Sequence, residues 1–183
     1  MNIVKIVGLV LVVTLIVIQF VRPPKNLSSQ SSANGISEHF TVPDSVQNIL
    51  RRSCYDCHSN NTVYPWYAEV EPVGWWLNSH IENGKRHVNY DEYASYRPIR
   101  QFIRFRDLIE QIKRDEMPLP SYLIIHRYAK LTPVEKDLLV QWSTAMMDTM
   151  RANYPADSLR RQPRREAQSA AGDMDRNRSY PRN

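Results

Sequence analysis

The chain has only two cysteines and five glycines in 183 residues. One Cys pair, Cys54 and Cys57, cannot staple a disulfide-rich scaffold, and it leaves no second pair for a four-cysteine zinc site. Sustained two-residue alternation is absent, and no Asn-Gly turn joins β-rich runs, so nothing in the sequence builds a sheet. No internal repeat is visible. The length suits one modest domain with appendages.

Excess positive charge is also missing where a folded domain must lie. The net charge is +5, a balance that raises the question of nucleic acid or an anionic surface. Residues 1–25 carry Lys5, Arg22 and Lys25 and no acid, residues 26–150 carry 13 basic and 15 acidic side chains, and residues 151–183 carry eight Arg and four acids. The basic character therefore belongs to the two ends. A phosphate-tracking surface is not expected on the middle, and no nucleic-acid partner is assigned.

From Ile3 to Val21 the sequence reads IVKIVGLVLVVTLIVIQFV, with Lys5, Thr14 and Gln19 as its polar residues. At ~1.5 Å per residue a helix over this run covers roughly 28 Å, close to the thickness of a bilayer core. No small-x-small cleavage site follows, so residues 1–25 are expected to be an uncleaved single-pass anchor. Residues 26–41 are polar and Ser/Asn-rich and read as a flexible tether. Residues 42–150 form the domain. Residues 151–183 hold almost no aliphatic side chains and read as a disordered, Arg-rich tail.

Within the domain every periodic segment has helical spacing. Val46, Ile49, Leu50 and Cys54 form a stripe after Pro43. Ile99, Phe102, Ile103, Ile109 and Ile112 form another, over about 98–115. Thr132-Pro133-Val134-Glu135 is a capping box that opens a helix through Val134, Leu138, Leu139, Trp142, Ala145 and Met146. A shorter helix is expected over 72–83, stopped by Gly84. The fold class is all-α.

Both cysteines fall in Cys54-Tyr55-Asp56-Cys57-His58, the C-x-x-C-H pattern of covalent haem attachment. At a helix end these three side chains share one side, so two sulfurs can meet two vinyl groups while the imidazole reaches iron. Three rivals stand beside it. Zinc would have to recruit His80 or His87, a thioredoxin-like dithiol would need a preceding strand and a βαβ frame, and a plain disulfide needs only the pair itself. Haem is attached outside the bacterial cytoplasmic membrane, so on that reading the anchor has its N-terminus in the cytoplasm and the domain faces the periplasm.

A second axial ligand is then sought, and thioether sulfur raises the potential of the iron. Met117 lies in Met117-Pro118-Leu119-Pro120, where proline keeps the chain extended just before the capped helix. It is the expected second metal ligand beside His58, with His80, His87 and His126 as alternatives. Tyr64, Trp66, Tyr67, Trp75 and Trp76 crowd one short stretch, and Trp66 and Trp76 are expected to wall the cofactor. In Lys85-Arg86-His87, Arg86 is a candidate partner for its propionates. Arg97, Arg100 and Arg104 read as a solvated face, with propionate pairing or docking of an acidic redox partner as the alternative.

The CxxCH helix, a Met-Pro loop 59 residues beyond the histidine, and a Leu-Thr-Pro-x-Glu start to a Leu-Leu-Val-x-Trp helix resemble a monohaem class I cytochrome c. Ser53-Cys54-Tyr55-Asp56-Cys57-His58-Ser59-Asn60, Tyr64-Pro65-Trp66-Tyr67, Pro72-Val73-Gly74-Trp75-Trp76, Gly84-Lys85-Arg86-His87 and Glu116-Met117-Pro118-Leu119-Pro120-Ser121-Tyr122 resemble the bacterial haem-binding domain family defined by a CxxCH motif. The resemblance spans about 45–145. It implies a small helical domain wrapped on covalently attached haem c and its iron. The expected role is a membrane-anchored, periplasm-facing electron carrier that serves redox partner proteins and is not an enzyme. Two alternatives remain: a haem sensor or peroxidase-like enzyme with an open sixth site, and a haem-free interaction module.

Overall fold

Local signals set most of the helix boundaries. A computed structural model describes residues 2–28 and 30–160. Among them the regular structure is helical, apart from one isolated antiparallel bridge between Leu27 and Asn61. In order come α1 (Ile3–Ile18), α2 (Ile36–His39), α3 (Asp44–Ser53), α4 (Tyr55–His58), α5 (Val73–His87), α6 (Pro98–Lys113), α7 (Pro120–Leu123) and α8 (Pro133–Asn153). Short 3₁₀ turns at Trp66–Glu69, Tyr90–Ser95, Arg127–Ala129 and Ala156–Leu159 complete the chain.

The capping box forms as its sequence dictates. Thr132 N–H donates to Glu135 Oε2 (2.8 Å), and Glu135 N–H donates to Thr132 Oγ1 (3.3 Å). Proline opens α6 and α8 at positions where a backbone N–H has no intrahelical acceptor to lose. The helix expected over 72–83 instead runs through Gly84 to His87. Gly84 does not take the left-handed conformation that would end it.

α6 and α8 pack along their lengths around Phe105, Ile112, Leu139, Trp142, Met147 and Met150, all buried. The α8 stripe is displaced from the expected one: Leu139, Trp142, Ser143, Met147 and Met150 face inward, while Val134 is exposed. α3 adds Val46, Ile49 and Leu50, and the turn after α5 adds Tyr90 and Tyr93. Phe105 meets Trp142 edge-on at 5.5 Å, and Trp142 Nε1–H donates to Thr41 O (3.0 Å), so the indole is buried with its donor satisfied.

Three further boundaries differ from the expectation. Of the run 3–21, only Ile3–Ile18 is helical, 16 residues or ~24 Å. No helix among the described residues is long and apolar enough to cross a membrane. The helix ends because Gln19 turns to the domain, donating from Nε2 to Glu71 O (3.0 Å) and accepting from Glu71 N–H at Oε1 (3.0 Å). Arg22 and Lys25 then pair with the Glu69 carboxylate, and Trp75 Nε1–H donates to Val21 O (2.6 Å).

The segment expected as a flexible tether is instead bound to the domain. Asn26 N–H donates to Tyr64 Oη (2.7 Å), and Asn26 Nδ2–H donates to Ser59 O and Thr62 Oγ1 (both 2.9 Å). Ile36 is buried in the core and Phe40 packs on it. At the other end α8 continues to Asn153 and Leu159 packs against the core, so the tail begins later than 151. Its remainder, residues 161–183, lies outside the described residues.

Candidate functional site

The CxxCH motif sits on its own helical turn. α3 ends at Ser53 and Cys54 departs from helical geometry (φ −127°, ψ −38°), while its N–H still donates to Leu50 O (2.8 Å). His58 N–H donates to Cys54 O (3.0 Å), which closes the turn and brings both cysteines and the histidine to one side. Cys54 and Cys57 are free thiols, not a disulfide.

α5 crosses directly against this turn, and Gly84 makes the approach possible. A Cβ at position 84 would lie 2.5 Å from Cys57 O and 3.2 Å from Cys57 Cβ, so only glycine fits. Through the same contact His58 Nδ1 meets Val88 O (3.0 Å) and Gly84 O (3.1 Å). Both partners are acceptors, so Nδ1 carries the proton and Nε2 keeps its lone pair. This is the arrangement that orients a metal-ligating histidine. Burial outweighs those two bonds and lowers the His58 pKa, favouring the neutral ligand form.

Cys54, Cys57, His58 and Met117 all line one cavity of about 430 Å³, a volume within the usual range for bound small molecules. α5 supplies one wall with His80, Asn83, Gly84 and His87, and α6 supplies another with Arg104, Asp107, Leu108 and Gln111. Burial pushes the Cys54 thiol up to about 12 and the Cys57 thiol up to about 11. Such thiols are unlike the activated thiolate of a redox dithiol.

Met117 reaches the cavity because of how α6 ends. Asp115 adopts the left-handed conformation (φ 57°), and Glu116 N–H donates back to Gln111 O (3.0 Å). The chain then turns through Pro118 into α7. Tyr122 on α7 donates its hydroxyl to Asp56 Oδ2 (2.6 Å), tying this loop to the CxxCH turn. Burial, with Asp56 adding to it, raises the Tyr122 pKa, so the hydroxyl remains a donor.

The other candidates divide. His80 and His87 line the cavity, and their Nδ1–H groups donate to Trp76 O (2.8 Å) and Asn83 O (2.9 Å). His126 does not line it; Tyr67 Oη and Tyr128 Oη occupy its two ring nitrogens at 2.7 and 2.9 Å. Trp66, Trp76 and Arg86 also stand outside the lining, contrary to the sequence expectation. Trp66 is 80% exposed, Trp76 lies tilted against the His80 ring at 4.2 Å, and Arg86 donates to Asn83 Oδ1. The aromatic lining is Tyr90 and Tyr122.

Sequence reasoning missed Tyr90 and Tyr122, and it held Arg104 in the cavity only as the lesser alternative to a solvated face. Arg104 had a signal, since it shares the helical phase of Leu108 and Ile112 rather than that of a solvated face. Among the described residues no three His, Cys, Asp or Glu side chains converge as they would on a bare metal ion. The zinc reading therefore has no donor set here.

A family model described as the haem-binding domain matches residues 13–145. That is well over half the chain, and the chain belongs to this family. No curated protein matches the chain, and no solved structure does. The oriented His58 imidazole and the adjoining cysteines fit the cofactor by which the family is described.

Proposed function

We propose that the protein is a c-type monohaem electron carrier held to the bacterial cytoplasmic membrane with its domain on the periplasmic side. The observation behind this reading is the convergence of Cys54, Cys57, His58 and Met117 on one cavity. Cys54 and Cys57 would hold the haem through thioether links, and His58 Nε2 and Met117 Sδ would hold its iron. The iron, when bound, takes up and releases one electron. The protein holds the donors, excludes water with Tyr90, Leu108 and Ile112, and presents a surface to redox partner proteins.

Membrane attachment is supported by α1, which buries none of its side chains against the domain and is apolar nearly throughout. Gln19, Arg22 and Lys25 bind the end of this helix to Glu69 and Glu71, so the domain is held close to whatever α1 enters.

A second reading concerns the sixth position. His80 and His87 line the same cavity, each with Nδ1–H bound to a backbone carbonyl and Nε2 left as the acceptor nitrogen. Either would give a bis-histidine centre, and with neither nor Met117 bound the site would be open to an exogenous ligand, as in a sensor or peroxidase-like protein.

The test is spectroscopic. The full chain is produced in a periplasm with haem-maturation machinery, and wild type is compared with Met117→Ala. We expect haem that survives denaturing electrophoresis and a Met–Fe(III) charge-transfer band that Met117→Ala abolishes. Colourless protein contradicts the haem reading; an unchanged low-spin spectrum in Met117→Ala moves the ligand to histidine, and a high-spin wild type opens the site.

A further inference from the structure

The arginines around α6 do not share one solvated face. Arg100 lies over the Tyr96 ring, 4.0 Å from its centroid, and donates to Arg86 O (3.0 Å). Arg106 points outward towards Asp107 and Glu110. Arg104 turns inward: its side chain is only 23% exposed, and it lines the cavity beside Asp107, Leu108 and Gln111. The lining includes no other arginine and no lysine.

The hydrogen bonding of Arg104 is incomplete. A guanidinium offers five N–H donors. Nη1 donates to Asp107 Oδ2 (2.7 Å), but Nε is buried with no partner. A largely buried cation with unmet donors is costly until an acceptor, best an anion, reaches it. Asp107 does not neutralise the corner alone, because its other oxygen is shared with Arg106 at 3.7 Å. The remaining lining carboxylate, Asp56, is occupied by the Tyr122 hydroxyl.

We infer that Arg104 is the anion anchor of the cavity and binds a carboxylate carried by the tetrapyrrole ligand, so that the carboxylate-bearing edge of the ligand faces α6. This inference rests on the haem reading above. Of the two sets of propionate candidates, the α6 arginines and Arg86, it selects Arg104, since Arg86 does not line the cavity. Asp107 is then the positioning residue that holds the guanidinium in place while competing for its donors.

The test compares two ligands with the same iron and ring but different carboxylates. The full chain, produced without haem maturation, is titrated in the same detergent with haemin and with haemin dimethyl ester, and binding is followed by absorbance. Wild type is expected to prefer haemin by at least about tenfold, the scale of one charge-assisted hydrogen bond. Arg104→Gln should bind the two within about twofold, and Arg86→Gln should keep the wild-type preference. Asp107→Asn, which removes the competing charge but keeps an oxygen to accept from Nη1, should raise the preference by about threefold or more; it decides the matter if Arg104→Gln fails to fold. Equal affinities in wild type, an undiminished preference in Arg104→Gln, or an unchanged one in Asp107→Asn overturns the inference. If wild type binds neither ligand, the haem reading fails instead.

Discussion

Gly84→Ala is the substitution that most directly tests how the site is assembled. In an ordinary helix interior this change stabilises by about 1 kcal/mol, because alanine has less backbone freedom to lose. Here the new methyl would lie 2.5 Å from Cys57 O and 3.2 Å from Cys57 C and Cβ. The closest atom is backbone, so no rotamer change relieves the clash, and α5 must move from α4. Overpacking of this kind costs typically 1–3 kcal/mol, and a backbone obstacle belongs at the upper end. Setting about 3 against the gain of about 1 leaves a net loss of about 2 kcal/mol, or a fall in Tm of roughly 4–8 °C for a chain of this size. The displaced helix also carries the Gly84 and Val88 carbonyls that orient His58, so the ligand field should weaken with the stability. Thermal unfolding of the holoprotein and its visible spectrum read the two effects together. A Gly84→Ala protein as stable as wild type, with an unaltered spectrum, would refute the close crossing of α5 over the CxxCH turn.

Two further outcomes follow from the buried thiols and the capping box. Burial holds Cys54 and Cys57 at about 12 and 11. At pH 8 the haem-free folded chain should therefore react with iodoacetamide at least about 100-fold more slowly than the urea-unfolded chain, whose thiols titrate near 8.5. Equal rates would mark the activated pair of a redox dithiol. For Glu135, burial raises the carboxyl pKa, but hydrogen bonds from Thr132 and Arg52 outweigh it and leave it below the ordinary 4.5. Its folded pKa is the lower one, so its stabilisation is complete above about pH 4.5 and is lost as pH falls through the folded value. Urea unfolding of wild type and Glu135→Gln should show a stability gap that closes on acidification below that pH. A gap that stays constant down to pH 3 contradicts the assignment.

Helix identity was readable wherever the determinants are local. Pro98 and Pro133 at helix starts, the Thr132–Glu135 box and the three- and four-residue spacing of Val46, Ile49 and Leu50 act within one or two turns. The C-x-x-C-H signature is likewise a local pattern, since one turn is enough to bring Cys54, Cys57 and His58 together. The loop of Met117 was legible from its prolines, while its place in the cavity lining also needed the left-handed Asp115 that ends α6.

Contacts between distant parts of the chain decided the rest. Local pattern alone does not distinguish a glycine that ends a helix from one that admits Cys57 against it, and Gly84 does the second. The polar, Ser/Asn-rich run 26–41 read as a flexible tether, yet Asn26 finds its partners at Ser59, Thr62 and Tyr64, and Ile36 enters the core. Trp66 and Trp76 were placed at the cofactor by composition, whereas the fold turns them outward and gives the wall to Tyr90 and Tyr122. Sequence by itself determined most of the helices, the C-x-x-C-H pattern and the family. Only the tertiary structure set Arg104, and not Arg86, in the cavity lining, because which face of α5 and α6 meets the cavity depends on how these helices pack around Gly84 and Phe105.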